Sequence, residues 1–436
     1  MNRSPSHRRW VFVIILFLFL LLHQFDIFMF THLMPRIMGF FQVAIQGFEP
    51  AIIFNMVVSI VFFLVWGIVF DKHARKKLLS VASFIWGATS WMMALAPTYG
   101  IFVISKAVSG ISNASYSGIY AMVGDFFSPK HRGKILGLFY LAQPLAFLLS
   151  MLLADGIVPR FPWRLIFIVV GMVGVVMAVL IFTMVGEPKR GMREPALSDI
   201  NMTGVYVLDL EIARTILQKP GLTLMYAFSL VGIIPWIVIT GWLFTYLNVV
   251  WAMPVVDIYL NLLPSLVAIA LGYPLGGFLG DILFRHTRNG RLWVAMAGVI
   301  FPGLFIFLAF NLLNDQSQLF VLLMTGMGLF MSFTWPNIVA SVMDITLPEL
   351  RATANALVLL FQAVGTFIVP VLVFFLQARI GLGPAILWTT IGPWMLCLAI
   401  LIALLFLLPG EIERLRRHMA YRSHLEARLQ TPERKN

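Results

Sequence analysis

"GIVFDKHARKK", residues 67–77, ends an apolar run on a Gly-x-x-x-Asp step and passes straight into a basic loop. "GFLGDILFRHTRNGR", residues 277–291, does the same, with Gly277 and Asp281 each 210 residues beyond Gly67 and Asp71. A second echo sets "RGKILGLFYLAQ" (132–143) against "RATANALVLLFQ" (351–362). There Arg132/Arg351, Leu138/Leu357 and Gln143/Gln362 recur at an offset of 219. Two echoes at nearly one spacing mean that the chain is built twice on one plan. Internal repeats of this kind in a membrane protein place a substrate site near the midplane, where the halves meet.

The composition names the solvent. Of 436 residues, 60% are hydrophobic and 11% are charged, whereas a soluble domain carries roughly a quarter charged residues. Twelve stretches reach the ~20 apolar residues that a spanning helix needs: 10–33, 51–70, 78–96, 100–124, 134–155, 165–185, 222–248, 255–279, 291–313, 318–343, 353–378 and 384–408. Period-2 alternation is absent and the runs are too long for barrel strands. The expected fold is therefore an all-α integral membrane protein. The run that begins at Trp10, after Arg8 and Arg9, continues past signal-peptide length with no small-residue cleavage site, so an uncleaved first membrane helix is expected. Cys397 is the single cysteine and lies in an apolar run, which excludes a disulfide framework and a cysteine metal cluster. No H-E-x-x-H, G-x-S-x-G, facing Asp pair or nucleotide-binding glycine loop is present, so neither an enzyme nor a primary pump is expected, and no metal or cofactor.

Charge sets the topology. With the N-terminus inside, 26 of the 31 Lys and Arg residues fall on inner segments; Arg36, Arg160, Arg164 and Arg379 fall outside, and Lys106 lies within a span. Only an even number of spans with both termini cytoplasmic gives that asymmetry. The net charge of +12 is thus topological, and no nucleic-acid partner is expected. The expected organisation is a six-helix bundle over 1–185, a linker over 186–221 containing an amphipathic helix (198–218), a second six-helix bundle over 222–408 and a basic tail over 409–436. In the tail, Ile412, Leu415, Met419 and Leu429 fall near one helical face among arginines, which reads as a solvated or headgroup-bound helix, with a regulatory role as the alternative. A monomer in the plasma (inner) membrane is expected.

Polar groups at membrane depth are the candidates for function. "FVISKAVSGISNASYSG" (102–118) sets Lys106 in an apolar run, followed by Asn113, Ser115 and Tyr116. A bare ammonium costs several kcal/mol near mid-bilayer, so some protein group has to face it. Asp26 lies sixteen residues along the first helix, roughly 24 Å at 1.5 Å per residue. Lys106 lies roughly 9 Å below the outer surface of a core about 30 Å thick, so the two depths agree. Asp26 and Lys106 are therefore expected to face each other, each offsetting the other's desolvation.

The loop after the second span resembles the signature of the major facilitator superfamily, G-x-x-x-D-[RK]-x-G-[RK]-[RK], here Gly67, Asp71, Lys72, Arg75 and Lys76 with Ala74 in the usual glycine's place. Within that superfamily the fourth span resembles the Spinster-like transporters, R-x-x-x-G-x-G-E-A-S-Y-S. Gly110, Ala114, Ser115, Tyr116 and Ser117 match, as do Asp125 at its inner end and "VGEPKRG" after the sixth span. The resemblance implies twelve helices in two six-helix halves and a secondary transporter working by alternating access. It implies a gate latch at Gly67, Asp71, Lys72, Arg75, Asp125, Arg132, Asp281 and Arg351. The candidate substrate and coupling site is Asp26, Lys106, Asn113, Ser115 and Tyr116, with Tyr140, Gln143 and Trp335 as candidates for an aromatic wall and Gln362 as a helix-joining or cavity-lining amide. Two positions depart from the family: Lys106 replaces its arginine, and Asn113 replaces its glutamate. An amide carries no transported proton, so proton coupling, where it operates, runs through Asp26. The implied substrate is an amphipathic or organic anion, with a lysolipid or sphingoid-like lipid as the Spinster case. An organic-acid symporter, a multidrug-type exporter and, outside transport, a receptor on the same fold are the alternatives.

Overall fold

The computed structural model describes residues 5–44, 47, 49–156, 160–197, 219–312 and 318–430; the amphipathic segment expected at 198–218 lies outside them. The described residues form fourteen α-helices and no strand. In the first half these are α1 (Pro5–Phe41), α2 (Glu49–Lys72), α3 (Arg75–Leu95), α4 (Tyr99–Asn113), α5 (Tyr116–Phe126), α6 (Arg132–Gly156) and α7 (Trp163–Met184). The second half contributes α8 (Pro220–Val249), α9 (Val255–His286), α10 (Gly290–Leu312), α11 (Gln318–Met331), α12 (Thr334–Asp344), α13 (Arg351–Ile380) and α14 (Leu382–Gln430). Eleven segments of these are long and apolar enough to cross a membrane. The remaining expected span, the fourth (100–124), is covered by α4 and α5, each too short alone.

That break has a visible cause. Ser109, Ser112 and Ser115 each turn a hydroxyl back to the carbonyl three residues earlier, at 2.7, 2.8 and 2.8 Å. The N–H groups of Ala114 and Ser115 close onto Ser112 O instead of reaching a full turn back. The carbonyls of Gly110 and Ile111, which an unbroken helix would have paired with those two donors, are left over. Ser59 Oγ donates to Gly110 O at 3.1 Å and Trp66 Nε1 to Ile111 O at 2.7 Å, both from α2. Lipid offers no hydrogen bonds, so a broken helix persists at this depth only where a neighbour supplies donors.

The tenth expected span, 318–343, is likewise interrupted, between α11 and α12 at Ser332–Phe333. Pro336 has no N–H for the carbonyl of Ser332, and Phe333 N–H closes onto Phe330 O at 2.9 Å. Ala114 and Phe333 are 219 residues apart, the same offset as the sequence echo. Proline-freed carbonyls elsewhere find partners in the same way. Thr334 Oγ1 donates to Gly298 O (3.1 Å), one turn before Pro302, and Asn289 Nδ2 donates to Leu405 O (3.0 Å), one turn before Pro409.

With Leu405 O satisfied, the last span does not stop near 408 but runs as one helix into the tail. The tail's apolar face is docked rather than solvated: Leu415 and Met419 pack on Leu197, beside Ala196 and Leu347. Gly381, at φ +84°, supplies the left-handed turn that ends α13 and lets α14 begin.

The chain divides into two compact units. One comprises Met1–Met122 with Leu138–Pro188; the other comprises Val123–Gly137 with Lys189–Asn436. In the first unit α3 packs against α7 so closely that a Cβ on Gly87 would lie 2.6 Å from Gly171 O. Large apolar side chains such as Val61, Phe84, Met172, Leu271, Val371 and Phe374 stay exposed, which suits acyl chains as solvent.

The carbonyl repair at the α4–α5 break can be tested through one atom. Trp66→Phe keeps the ring that stacks on Phe70 but removes the donor to Ile111. An unsatisfied buried carbonyl costs about 1–3 kcal/mol, so the thermal midpoint of the purified protein should drop. Trp91→Phe, which removes an exposed donor to Ile168 O, should move it much less. Equal shifts in the two variants would refute the assignment.

Candidate functional site

The first unit gathers a polar cluster around α1 and α4. His23, Asp26 and Phe30 are spaced three and four residues apart, so they share one face of α1. Asp26 is buried and accepts a hydrogen bond from Trp86 Nε1 of α3 at 3.0 Å. His23 joins Tyr116 Oη at 2.5 Å through Nδ1 and Ser112 Oγ at 3.2 Å through Nε2, and its ring meets Trp86 edge-on. Lys106 is buried on α4, and its Nζ lies 3.8 Å from the centre of the Phe30 ring. Phe30 in turn stacks on Phe102, inside an apolar group that includes Met29, Leu33, Trp163 and Phe167.

The direct Asp26–Lys106 pair expected from depth does not form. The two charges act on each other through space, but among the described residues no carboxylate lies within ion-pair reach of the ammonium. Depth estimated along a helix fixes height only to about one turn. Phe30, one turn beyond Asp26, presents its ring to Lys106 instead, and Asp26 turns to the indole.

The remaining expected site residues divide. Asn113 donates to Asn55 Oδ1 (3.2 Å), while Asn55 Nδ2 binds Lys106 O (2.7 Å), so both amides tie α2 to α4. Ser115 closes the helix break, and Tyr116 starts α5 against His23. Tyr140 stacks on Tyr120 at 5.7 Å, and Gln143 is half-buried one turn further along α6. Trp335 and Gln362 belong to the other unit. There Trp335 meets Phe228 edge-on and, with Trp236, Met331 and Trp394, lines a cavity of about 10 Å³, room for about one water. Gln362 is half-buried on α13. Trp86, Phe30 and Asn55 were not expected from sequence; the spacing 23/26/30 is the signal that would have found Phe30.

The gating residues also divide. Gly67, Asp71, Lys72 and Arg75 lie in the first unit, where Asp71 pairs with Arg75 at 3.1 Å and both are buried, while Lys72 is exposed. Glu187 caps the start of α3 by accepting from the N–H groups of Arg75 and Lys76 at 2.9 and 2.8 Å. Asp125, Arg132, Asp281 and Arg351 meet in the second unit, with three partners the motifs did not give: Glu194, Arg291 and Asp344. Arg132 pairs with Asp344 at 3.0 Å and Arg351 with Asp125 at 3.7 Å. Asp344 stands 219 residues after Asp125, so each repeat's arginine takes the other repeat's aspartate. Glu194 bridges Arg132 and Arg351, and Arg291 contacts Asp281 and Asp344. Asp281 also accepts from the N–H groups of Gly133 and Lys134, both at 2.9 Å, capping α6. The repeat offset points to Asp344; nothing in the sequence points to Glu194.

The chain matches the sequence profile of the Major Facilitator Superfamily over residues 16–288 and 260–426. It is 26% identical to the protein spinster of Drosophila melanogaster over 69% of this chain and 51% of that protein. It is 26% identical to a hexuronate transporter of Bacillus subtilis over 53% of this chain and 55% of the other. The alignments thus span about half the length of these two relatives. A sphingosine-1-phosphate transporter of Danio rerio is 31% identical over 34% of this chain and 30% of its own length. Among solved structures, a human organic anion transporter superposes with TM-score 0.68 at 14% identity, covering 92% of this chain and 100% of that one. A bacterial homologue of Spinster superposes at 0.56 and 17%, covering 97% and 99%. At these identities the structures speak for the fold.

Acid should reach the charge cluster through Glu194. Burial pushes its carboxyl up, but Arg132 and Arg351, by charge and hydrogen bond, together pull it down to about 2 from an ordinary 4.5. Asp125 and Asp344 face the same arginines from α5 and α12. A depressed carboxylate stabilises the fold fully above its unfolded value, so that share is lost as pH falls from about 4.5 through about 2. The shift corresponds to about 3 kcal/mol. Glu194→Gln should lower the thermal midpoint at neutral pH and flatten its fall across that window. A wild-type and a variant profile of equal slope there would overturn the assignment.

Proposed function

The chain belongs to the Major Facilitator Superfamily of membrane transporters, and on that premise we propose that it moves an amphipathic organic anion by alternating access. Lys106 is the substrate's counter-charge. It is buried at membrane depth, no carboxylate lies within ion-pair reach among the described residues, and its nearest partner is the Phe30 ring. A cation over an aromatic face gains about 0.5–2 kcal/mol, while an uncompensated charge at that depth costs several. The difference favours an anion arriving from solution or lipid. That unpaired ammonium carries the reading.

Its apolar surroundings select what else the ligand carries. Met29, Phe30, Leu33, Phe102, Trp163 and Phe167 leave few hydrogen-bond partners for a polyhydroxylated acid. A sphingoid phosphate or lysophospholipid, with one anionic head and an apolar tail, matches that chemistry better. The spinster and sphingosine-1-phosphate relatives support this reading; the hexuronate relative supports the organic-acid rival. Asp26, held by one neutral indole, is the group on which proton coupling rests, and Asn113 takes no proton. The protein acts as a monomer in the plasma (inner) membrane, with its basic loops and both termini cytoplasmic.

Proteoliposome uptake and equilibrium binding separate these ligands. Lys106→Met should fold and lose at least tenfold in affinity for a sphingoid phosphate, with Lys106→Arg retaining most of it. Hexuronate should bind neither form. Asp26→Asn should keep binding while removing the response of uptake to an imposed pH gradient. A Lys106→Met protein that binds every anionic probe within a few-fold of wild type would end the counter-charge reading. Saturable hexuronate uptake with no response to lipids would hand the function to the organic-acid symporter.

A further inference from the structure

The tail portion of α14 presents two faces with different chemistry. One face holds the protein. Glu411 accepts the N–H of Gly221 at 2.8 Å, capping α8; Leu415 and Met419 bury against Leu197; Arg422 pairs with Glu349 at 3.0 Å. Glu349 and Leu347 lie between Asp344 and Arg351, and Leu197 lies three residues from Glu194. The strap therefore rests on the two loops that carry three members of the charge cluster.

The opposite face is exposed and basic. Arg414, Arg417, His418 and Tyr421 recur at i, i+3, i+4 and i+7, which is one helical stripe. Arg417 is 79% exposed, and Tyr421 is 62% exposed. The carboxylate beside them, Glu413, is shared with Arg288 from the loop after α9, and Arg285 in the last turn of α9 is also exposed. The apolar run of the span ends at Leu408, so Arg414 stands about 9 Å beyond it. Headgroups occupy the first ~5–7 Å outside the hydrocarbon, and arginine side chains extend back toward the interface.

We propose that Arg414, Arg417 and His418 form a binding surface for the anionic headgroups of the adjoining lipid leaflet, and that this contact keeps the strap seated on the loops of the charge cluster. The occupant is lipid because the stripe grows directly from a membrane span, begins at Arg414 within reach of the headgroups and carries the complementary charge. The lipid's effect on the cluster passes through Arg422 and Met419, which touch Glu349 and Leu197 on the loops that carry it. The inference stands on the fold and is independent of the substrate.

Hydrogen exchange on the full chain in nanodiscs tests it. In phosphatidylcholine with 30 mol% phosphatidylglycerol, segments 189–197 and 344–351 should exchange at least threefold more slowly than in phosphatidylcholine alone. The Arg414→Gln/Arg417→Gln/His418→Gln variant should exchange at one rate in both bilayers, with α3 and α7 protected as in wild type. Arg422→Gln should keep protection of its own tail by anionic lipid while segment 344–351 no longer responds. Equal exchange of the wild type in the two bilayers would overturn the proposal. So would a lipid response that survives the triple substitution, or an equal response to millimolar soluble glycerol phosphate.

Discussion

Arginines and aspartates exchanged between the two repeats hold the second unit's basic-loop face together, and much else in that unit is arranged around them. Three arginines, Arg132, Arg291 and Arg351, meet four carboxylates, Asp125, Glu194, Asp281 and Asp344, all buried. The surplus negative charge is met by backbone donors: Gly133 and Lys134 serve Asp281, and Gly191 serves Asp125 at 2.8 Å. Those donors come partly from the start of α6, whose orphan N–H groups need acceptors in any case. The same solution recurs with Glu187 at α3 and Glu411 at α8. One set of carboxylates thus settles two problems, buried guanidinium charge and unfinished helix ends. Removing an arginine would enlarge that surplus of buried negative charge, which costs more than the pair itself contributes.

The first unit resolves its charges differently. Asp26 and Lys106 are not spent on each other, and each has a weak, neutral partner, an indole N–H and an aromatic face. Weak partners are easily exchanged, which suits the counter-charge role proposed for Lys106. The polar groups nearby are committed instead. Asn55, Ser59, Trp66 and the serine ladder are occupied in repairing the broken helix that carries Lys106. Function and scaffolding therefore use different side chains within one turn of each other.

Much of the architecture is written in the sequence because the bilayer imposes it. Apolar run length gives the spans, and the 210- and 219-residue offsets give the twofold plan. The same offset would have led from Asp125 to Asp344. Other features depend on partners that no local pattern reveals. The serine run at 109–115 looks helical by composition and breaks because three hydroxyls compete for carbonyls. Pro409 reads as a helix end, yet Asn289, over a hundred residues away, makes the helix continue. Glu194 sits outside the repeat, so no echo marks it. For Lys106, depth read along the sequence is good only to about a turn, and Phe30, one turn beyond Asp26 on the same face of α1, is the group that meets it.

The interruptions at residues 114 and 333 have a mechanical consequence. An intact helix resists bending because every carbonyl along it is tied to the next turn. At the first interruption those ties are replaced by side-chain bonds from α2, and at the second Ser332 Oγ donates back to Leu329 O of its own helix, so fewer backbone ties cross either point. Each repeat therefore contains one joint of low bending stiffness, at equivalent points, between two stiff rods. Lys106 sits on the rod before the first joint and Asp125 on the rod after it. A change of direction at that joint need not displace the ammonium, so the immediate surroundings of Lys106 can keep their shape.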